Sequence, residues 1–143
     1  NVPLKNKMIP TYLIIYNMLV QRALLRISRV AQSFSGAKHT HEIKSAEDFK
    51  AKLSSIKTPV LVDFYANWCG PCKALMPRLL KKAESDNGKW VLLKVDIDVP
   101  ENAKICEDYR VSAVPTLVLI KDGKTVDTKM GVLSDEALST LLK

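Results

Sequence analysis

Aspartate and glutamate are missing from the first 41 residues, although that stretch holds six cations: Lys5, Lys7, Arg22, Arg26, Arg29 and Lys38. That absence settles what the net charge of +7 means. The remaining residues carry 16 basic against 15 acidic side chains, a net of +1, so the folded part has no charge excess suited to nucleic acid or a membrane surface. Cysteine is equally sparse. Three in 143 residues, two of them only three positions apart, exclude the disulfide framework of a small secreted protein and fit a reducing compartment. A long apolar run is missing from the N-terminal stretch: Tyr12–Val20 is about half the roughly 20 residues a bilayer span needs, and it contains Asn17. There is no internal repeat or low-complexity tract, and 143 residues are enough for one domain with a packed core.

The acid-free stretch, residues 1–41, reads as an address followed by a linker. Arg22, Arg26 and Arg29 recur at i, i+4, i+7, and Val20, Leu24 and Ile27 do the same two residues earlier. At about 100° per residue the two sets face opposite ways, giving a basic amphipathic helix. With Ser28, Ser33 and Ser35 behind it, this is the pattern of a mitochondrial transit segment. A solvated tail and a secretory signal, whose apolar region Tyr12–Val20 would supply, are the competing expectations. The chain begins at Asn1, so translation is expected to start at Met8 or upstream, with processing near 34–39.

From residue 42 the pattern alternates strand and helix. A short strand is expected around 42–44. A helix follows, capped by Ser45, with Asp48 as an acidic variant of the capping box and Phe49, Leu53 and Ile56 as its apolar stripe. Pro59–Ala66 is a continuous apolar run, as in a central strand covered on both faces. The next helix, from Lys73 to about Ser85, packs through Leu75, Met76, Leu79, Leu80 and Ala83, and Pro77 should kink it. A strand over 90–96 and a helix over 101–109 come next. Strands over 116–120 and 125–130 form a hairpin, with Asp122-Gly123 supplying the turn. Ser134 caps a last helix through Leu142. The order predicts an α/β fold: a mixed central sheet flanked by helices on both faces.

The chemistry concentrates in Trp68-Cys69-Gly70-Pro71-Cys72, between the apolar strand and its helix. A strand ending in Cys-x-x-Cys that opens a helix reads as a redox site. Thiols three residues apart on a first helical turn share a face, roughly 5–6 Å between Cβ atoms, so a disulfide can open and close with little backbone movement. Cys69 would sit at the helix N-terminus, where unpaired N–H groups and the dipole favour a thiolate. Cys69 is thus the candidate nucleophile and Cys72 the buried resolving thiol. Pro71 costs no hydrogen bond in a first turn, and Gly70 leaves the surface open to a partner's backbone. The competing assignment is half a zinc site, completed from Cys106 and the linker histidines His39 and His41. Asp63, six residues before Cys69, either points to solvent from one side of the strand or is buried with a raised pKa, fit to take a proton from Cys72. Lys94, in the next apolar strand, either partners that carboxylate or snorkels from a strand edge. Cys106 reads as a small buried hydrophobe, with a regulatory or dimerising thiol as the alternative.

The blocks Val-Asp-Phe-Tyr-Ala-Asn-Trp-Cys-Gly-Pro-Cys-Lys, Pro77, Lys94-Val95-Asp96-Ile97-Asp98, Val111-Ser112-Ala113-Val114-Pro115-Thr116 and Lys121-Asp122-Gly123 resemble the thioredoxin family, in that family's order, over residues 42–143. The resemblance implies that Asp63 transfers the proton of Cys72 with Lys94 as its partner, and that Trp68 covers the active site and contacts partners. It also implies that Val114-Pro115 is a cis-proline loop against the cysteines, whose Val114 backbone pairs with an extended substrate segment. Gly131, with Met130 and Val132, would complete the docking patch, although a turn or bulge glycine is the plainer account. Tyr65 departs from the tryptophan many thioredoxins carry there.

The implied function is reduction of protein disulfides by a dithiol carrier serving cell redox homeostasis. Its partners would be thioredoxin reductase and disulfide-bearing clients such as peroxiredoxins, with no nucleic acid and no stable membrane association once the leader is removed. No bound cofactor or metal is expected; NADPH acts indirectly, through the reductase. Val-Ser-Ala-Val-Pro-Thr and Pro-Arg-Leu resemble mitochondrial members, which with the leader points to the mitochondrial matrix. The rivals are a disulfide isomerase-like oxidant, which usually carries His between its cysteines, and a non-catalytic interaction subunit.

Overall fold

The computed structural model describes residues 39–143, so the expectations for positions 1–38, leader helix and processing site included, lie outside the described residues. The elements are β1 (Thr40–Glu42), α1 (Ala46–Ser55), β2 (Val60–Tyr65), α2 (Gly70–Ser85), β3 (Val91–Asp96), a 3-10 turn (Pro100–Asn102) leading into α3 (Ala103–Asp108), β4 (Thr116–Lys121), β5 (Lys124–Met130) and α4 (Asp135–Leu141). The strands form one mixed sheet in the order β1-β3-β2-β4-β5. β2 lies at its centre, parallel to β3 and antiparallel to β4.

Covering both faces of β2 explains its unbroken apolar run. Val60, Val62 and Phe64 enter one core with Phe49 of α1 and Ile105 of α3. Leu61 enters the other, with Leu75, Leu79 and Ala83 of α2 and Leu138 of α4. Side chains alternate along a strand, so Asp63 belongs to the face of Leu61, the one α2 covers.

Local signals set most of the ends. The Ser45 hydroxyl accepts from the Asp48 amide at 3.2 Å, and the Asp48 carboxylate accepts in return from the Lys44 amide at 3.1 Å, one residue before the expected cap nitrogen. Asp122 and Gly123 take φ of 52° and 72°, the two left-handed residues a tight hairpin needs. The 94–96 end of β3 is braced by buried Asn102, whose side-chain amide donates to the carbonyls of Ile43 and Asp96. The 101–109 helix is shorter than expected, because its first turn is the 3-10 segment.

The domain begins earlier than residue 42. The first strand is 40–42 rather than 42–44; the His39 carbonyl accepts from the Leu92 amide at 2.8 Å, and His41 pairs in register with Leu93. Of the histidines expected in a linker, His41 is therefore part of the sheet, and His39 is hydrogen-bonded to it just ahead of β1. The reason is the edge of β3, whose free backbone groups are met by an extended segment ahead of Ile43. His39 also packs against Gly88, where a Cβ would lie 2.8 Å from its ring.

Candidate functional site

The end of β2 delivers the chain into the cysteine motif. The Cys69 amide donates to the Ala66 carbonyl, and Asn67 ties the approach to the end of β3 through a 2.9 Å bond to Asp96. Cys69 is the N-cap of α2, which starts at Gly70, and its sulfur accepts the Cys72 amide at 3.1 Å. A sulfur in a cap position takes the electrostatic benefit of unpaired N–H groups that stabilises a thiolate. Cys69 and Cys72 are joined as a disulfide, with Cα atoms 5.3 Å apart. Gly70 is exposed with open space where a Cβ would be, and Pro71 fills the first turn without removing a helical hydrogen bond. α2 runs on through Pro77 to Ser85.

Cys69, the candidate nucleophile, is nearly as covered as the resolving thiol. It is 4% exposed, against 2% for Cys72. Its sulfur is bonded to that of Cys72, and the Val114 carbonyl lies 3.7 Å from it. Trp68, by contrast, is 68% exposed.

The Val114–Pro115 bond is cis, and the Pro115 carbonyl accepts from the amide of Gly131 at 2.8 Å. That bond brings the end of β5 to the proline loop, with Met130 and Val132 exposed on either side. Gly131 has φ +83°, so it is also the turn glycine of its plainer account. The structure thus joins Cys69, Cys72, Val114, Pro115 and Gly131 at one end of the sheet.

Asp63 is completely buried, and neither carboxylate oxygen has a hydrogen-bond partner among the described residues. Burial raises its pKa to about 7; the positive charge of Lys94 pulls it down and Glu42 pushes it up. Lys94 stands directly opposite Asp63 in the register of β2 and β3. Its ammonium nevertheless makes its ion pair with Glu42 of β1, above the ring of Tyr65. Lys94 therefore reaches Asp63 by charge at a distance, not by a bond. Glu42 was not singled out in the sequence; only its place one strand beyond Lys94 gives it this role.

Cys106 lies half-buried in α3, its thiol pushed up by burial. The sulfurs a zinc site would need are bonded to each other, and among the described residues no three His, Cys, Asp or Glu side chains converge to hold a metal ion.

The thioredoxin family model matches residues 39–143. The chain belongs to the thioredoxin family. It is 43% identical over 104 residues to the mitochondrial thioredoxin of Mus musculus, covering 73% of this chain and 61% of that protein. It is 40% identical over 110 residues to the probable thioredoxin-2 of Caenorhabditis elegans, covering 77% and 74%. The chain thus spans less than two thirds of the mouse protein. Among solved structures, the N21Q mutant thioredoxin from Halobacterium salinarum superposes with a TM-score of 0.65 at 33% identity, covering 76% of this chain and 91% of that one. The mixed sheet with helices on both faces is the thioredoxin fold.

Proposed function

We propose that this thioredoxin is a protein-disulfide reductase. The observation that carries it is the Cys69–Cys72 disulfide with the Cys69 sulfur as N-cap of α2. In the reduced chain the Cys69 thiolate attacks one sulfur of a client disulfide, and the other client sulfur leaves as a thiolate. The Cys72 thiol, giving its proton to the Asp63 carboxylate, then attacks Cys69 and releases the second client sulfur. The client gains two electrons as two thiolates, which take protons from solvent while Asp63 returns its own there, and the chain is left in the disulfide state seen here. A carboxyl titrating at about 7 exchanges a proton readily at neutral pH.

An extended client segment pairs with the Val114 backbone beside Trp68, Met130 and Val132. Thioredoxin reductase returns the electrons from NADPH, so the chain itself needs no resident cofactor. Peroxiredoxins are the client class, and the mitochondrial matrix the location, on the strength of the leader and the mitochondrial relatives.

Reduction of insulin by the full chain with reductase and NADPH is the test. NADPH consumption that disappears in Cys69→Ser is expected; none above background in the unsubstituted chain would end the proposal. A reduction potential separates the isomerase rival: thioredoxins lie near about −270 mV and disulfide isomerases near about −180 mV.

A further inference from the structure

Three strands place one connected set of side chains beside the buried carboxyl. Tyr65 closes β2, Lys94 faces Asp63 from β3, and Glu42 faces Lys94 from β1. The Tyr65 hydroxyl donates to Glu42 Oε1 at 2.6 Å, and Lys94 Nζ pairs with Glu42 Oε2. Both oxygens of one half-exposed carboxylate are thus engaged, and the ammonium sits 5.4 Å from the Tyr65 ring centre. Asp63, one strand further in, is left with no bond to either.

We propose that Glu42 is a positioning residue that draws the Lys94 ammonium toward the sheet edge and so leaves Asp63 under-compensated, with the Tyr65 hydroxyl fixing the carboxylate that does this. Desolvation decides the direction. An ion pair costs less at the half-exposed Glu42 than at a fully buried Asp63, and a lysine stem reaches outward easily. Among the described residues, the charged groups acting on Asp63 are Lys94 of β3 and Glu42 of β1, which oppose each other. Tyr65 on its own strand is held protonated by burial and by its bond to Glu42. Its β4 partner Leu117 is apolar, and Cys72, carried by α2 on the same side of the sheet, is here bound in the disulfide. The hydroxyl comes with the departure at 65, since a tryptophan there has none. The arrangement keeps Asp63 able to hold a proton at neutral pH, and for its catalytic meaning it rests on the reductase function proposed above.

The test reads the Asp63 side-chain carboxyl by carbon NMR through a pH titration of the oxidised full chain, which needs no turnover. Glu42→Gln is expected to lower the Asp63 midpoint by about one unit, the scale of a cation within reach of a carboxylate. Tyr65→Phe should lower it by less. In a Lys94→Met background most of the Glu42→Gln effect should vanish. An unmoved midpoint in Glu42→Gln overturns the proposal. So does an equal fall with Lys94 absent, because Glu42 would then act by its own charge. An unmoved midpoint in Tyr65→Phe removes Tyr65 from the arrangement. A separate measurement, insulin reduction by Asp63→Asn between pH 6 and 9, tests the proton-transfer step alone. A rate equal to that of the unsubstituted chain would end that step and leave the titration result standing.

Discussion

Replacing Asp63 with asparagine should stabilise the oxidised chain, by an amount that depends on pH. Unfolded, the carboxyl titrates near 3.8; folded, it titrates at about 7. Below the first value both states hold the proton, and the group costs nothing. Between the two values the unfolded chain has released a proton that the folded chain keeps, so each rise in pH favours unfolding. Above the second value both are ionised and the loss stops growing. The gap of about three units, at about 1.4 kcal/mol each, makes the full cost about 4 kcal/mol. Asparagine fills nearly the same volume and carries no charge. Urea unfolding of the two chains, disulfide intact, should give similar stabilities near pH 4. The asparagine chain should gain about 1.4 kcal/mol per unit up to about pH 7 and hold that lead above it. A difference that is constant from pH 4 to 8 would refute the argument, because the carboxyl would then titrate alike in both states.

Cys72→Ser should accumulate a mixed disulfide between Cys69 and a client, visible by mass as one adduct released by dithiothreitol; rapid release without Cys72 would remove its resolving role. Leu75→Ala, at a fully buried α2 position against Leu61 and Leu79, should cost about 2–5 kcal/mol in urea unfolding. Asn102→Ala strips the donor from the Ile43 and Asp96 carbonyls and should cost about 1–3 kcal/mol, and a neutral result would show that those carbonyls find other donors. In the reduced chain iodoacetamide should label Cys69 well before Cys106, whose half-buried thiol is held above its ordinary value; equal rates would contradict the thiolate assigned to the cap position.

The parts of this molecule that show in the sequence are those fixed by short-range rules. The run 60–66 is apolar at every position except Asp63 because both faces of β2 are covered, and that pattern needs no knowledge of its neighbours. Ser45, Ser134 and Asp122-Gly123 each act within four residues, so the ends they set were legible. Cys69 and Cys72 act within one turn. The first strand was misplaced by two residues because pairing with β3, not its own composition, decides where β1 begins. The cis bond before Pro115 came from resemblance, since a Val-Pro pair by itself favours trans.

What stayed hidden was which partner each charge takes. Lys94 and Asp63 are 31 residues apart and face each other in register, which resemblance alone suggested. Yet facing is not bonding. A lysine with a stem long enough to choose will take the carboxylate that keeps more of its water, and Glu42 offers that where Asp63 does not. The choice is set by a third strand and by one phenolic hydroxyl, neither within 20 residues of Lys94 in the chain. A residue list gives identities and spacing, whereas the balance between a half-exposed and a fully buried carboxylate exists only once β1, β3 and β2 lie side by side. The acidity of Asp63 is therefore a property of the sheet order as much as of the residue.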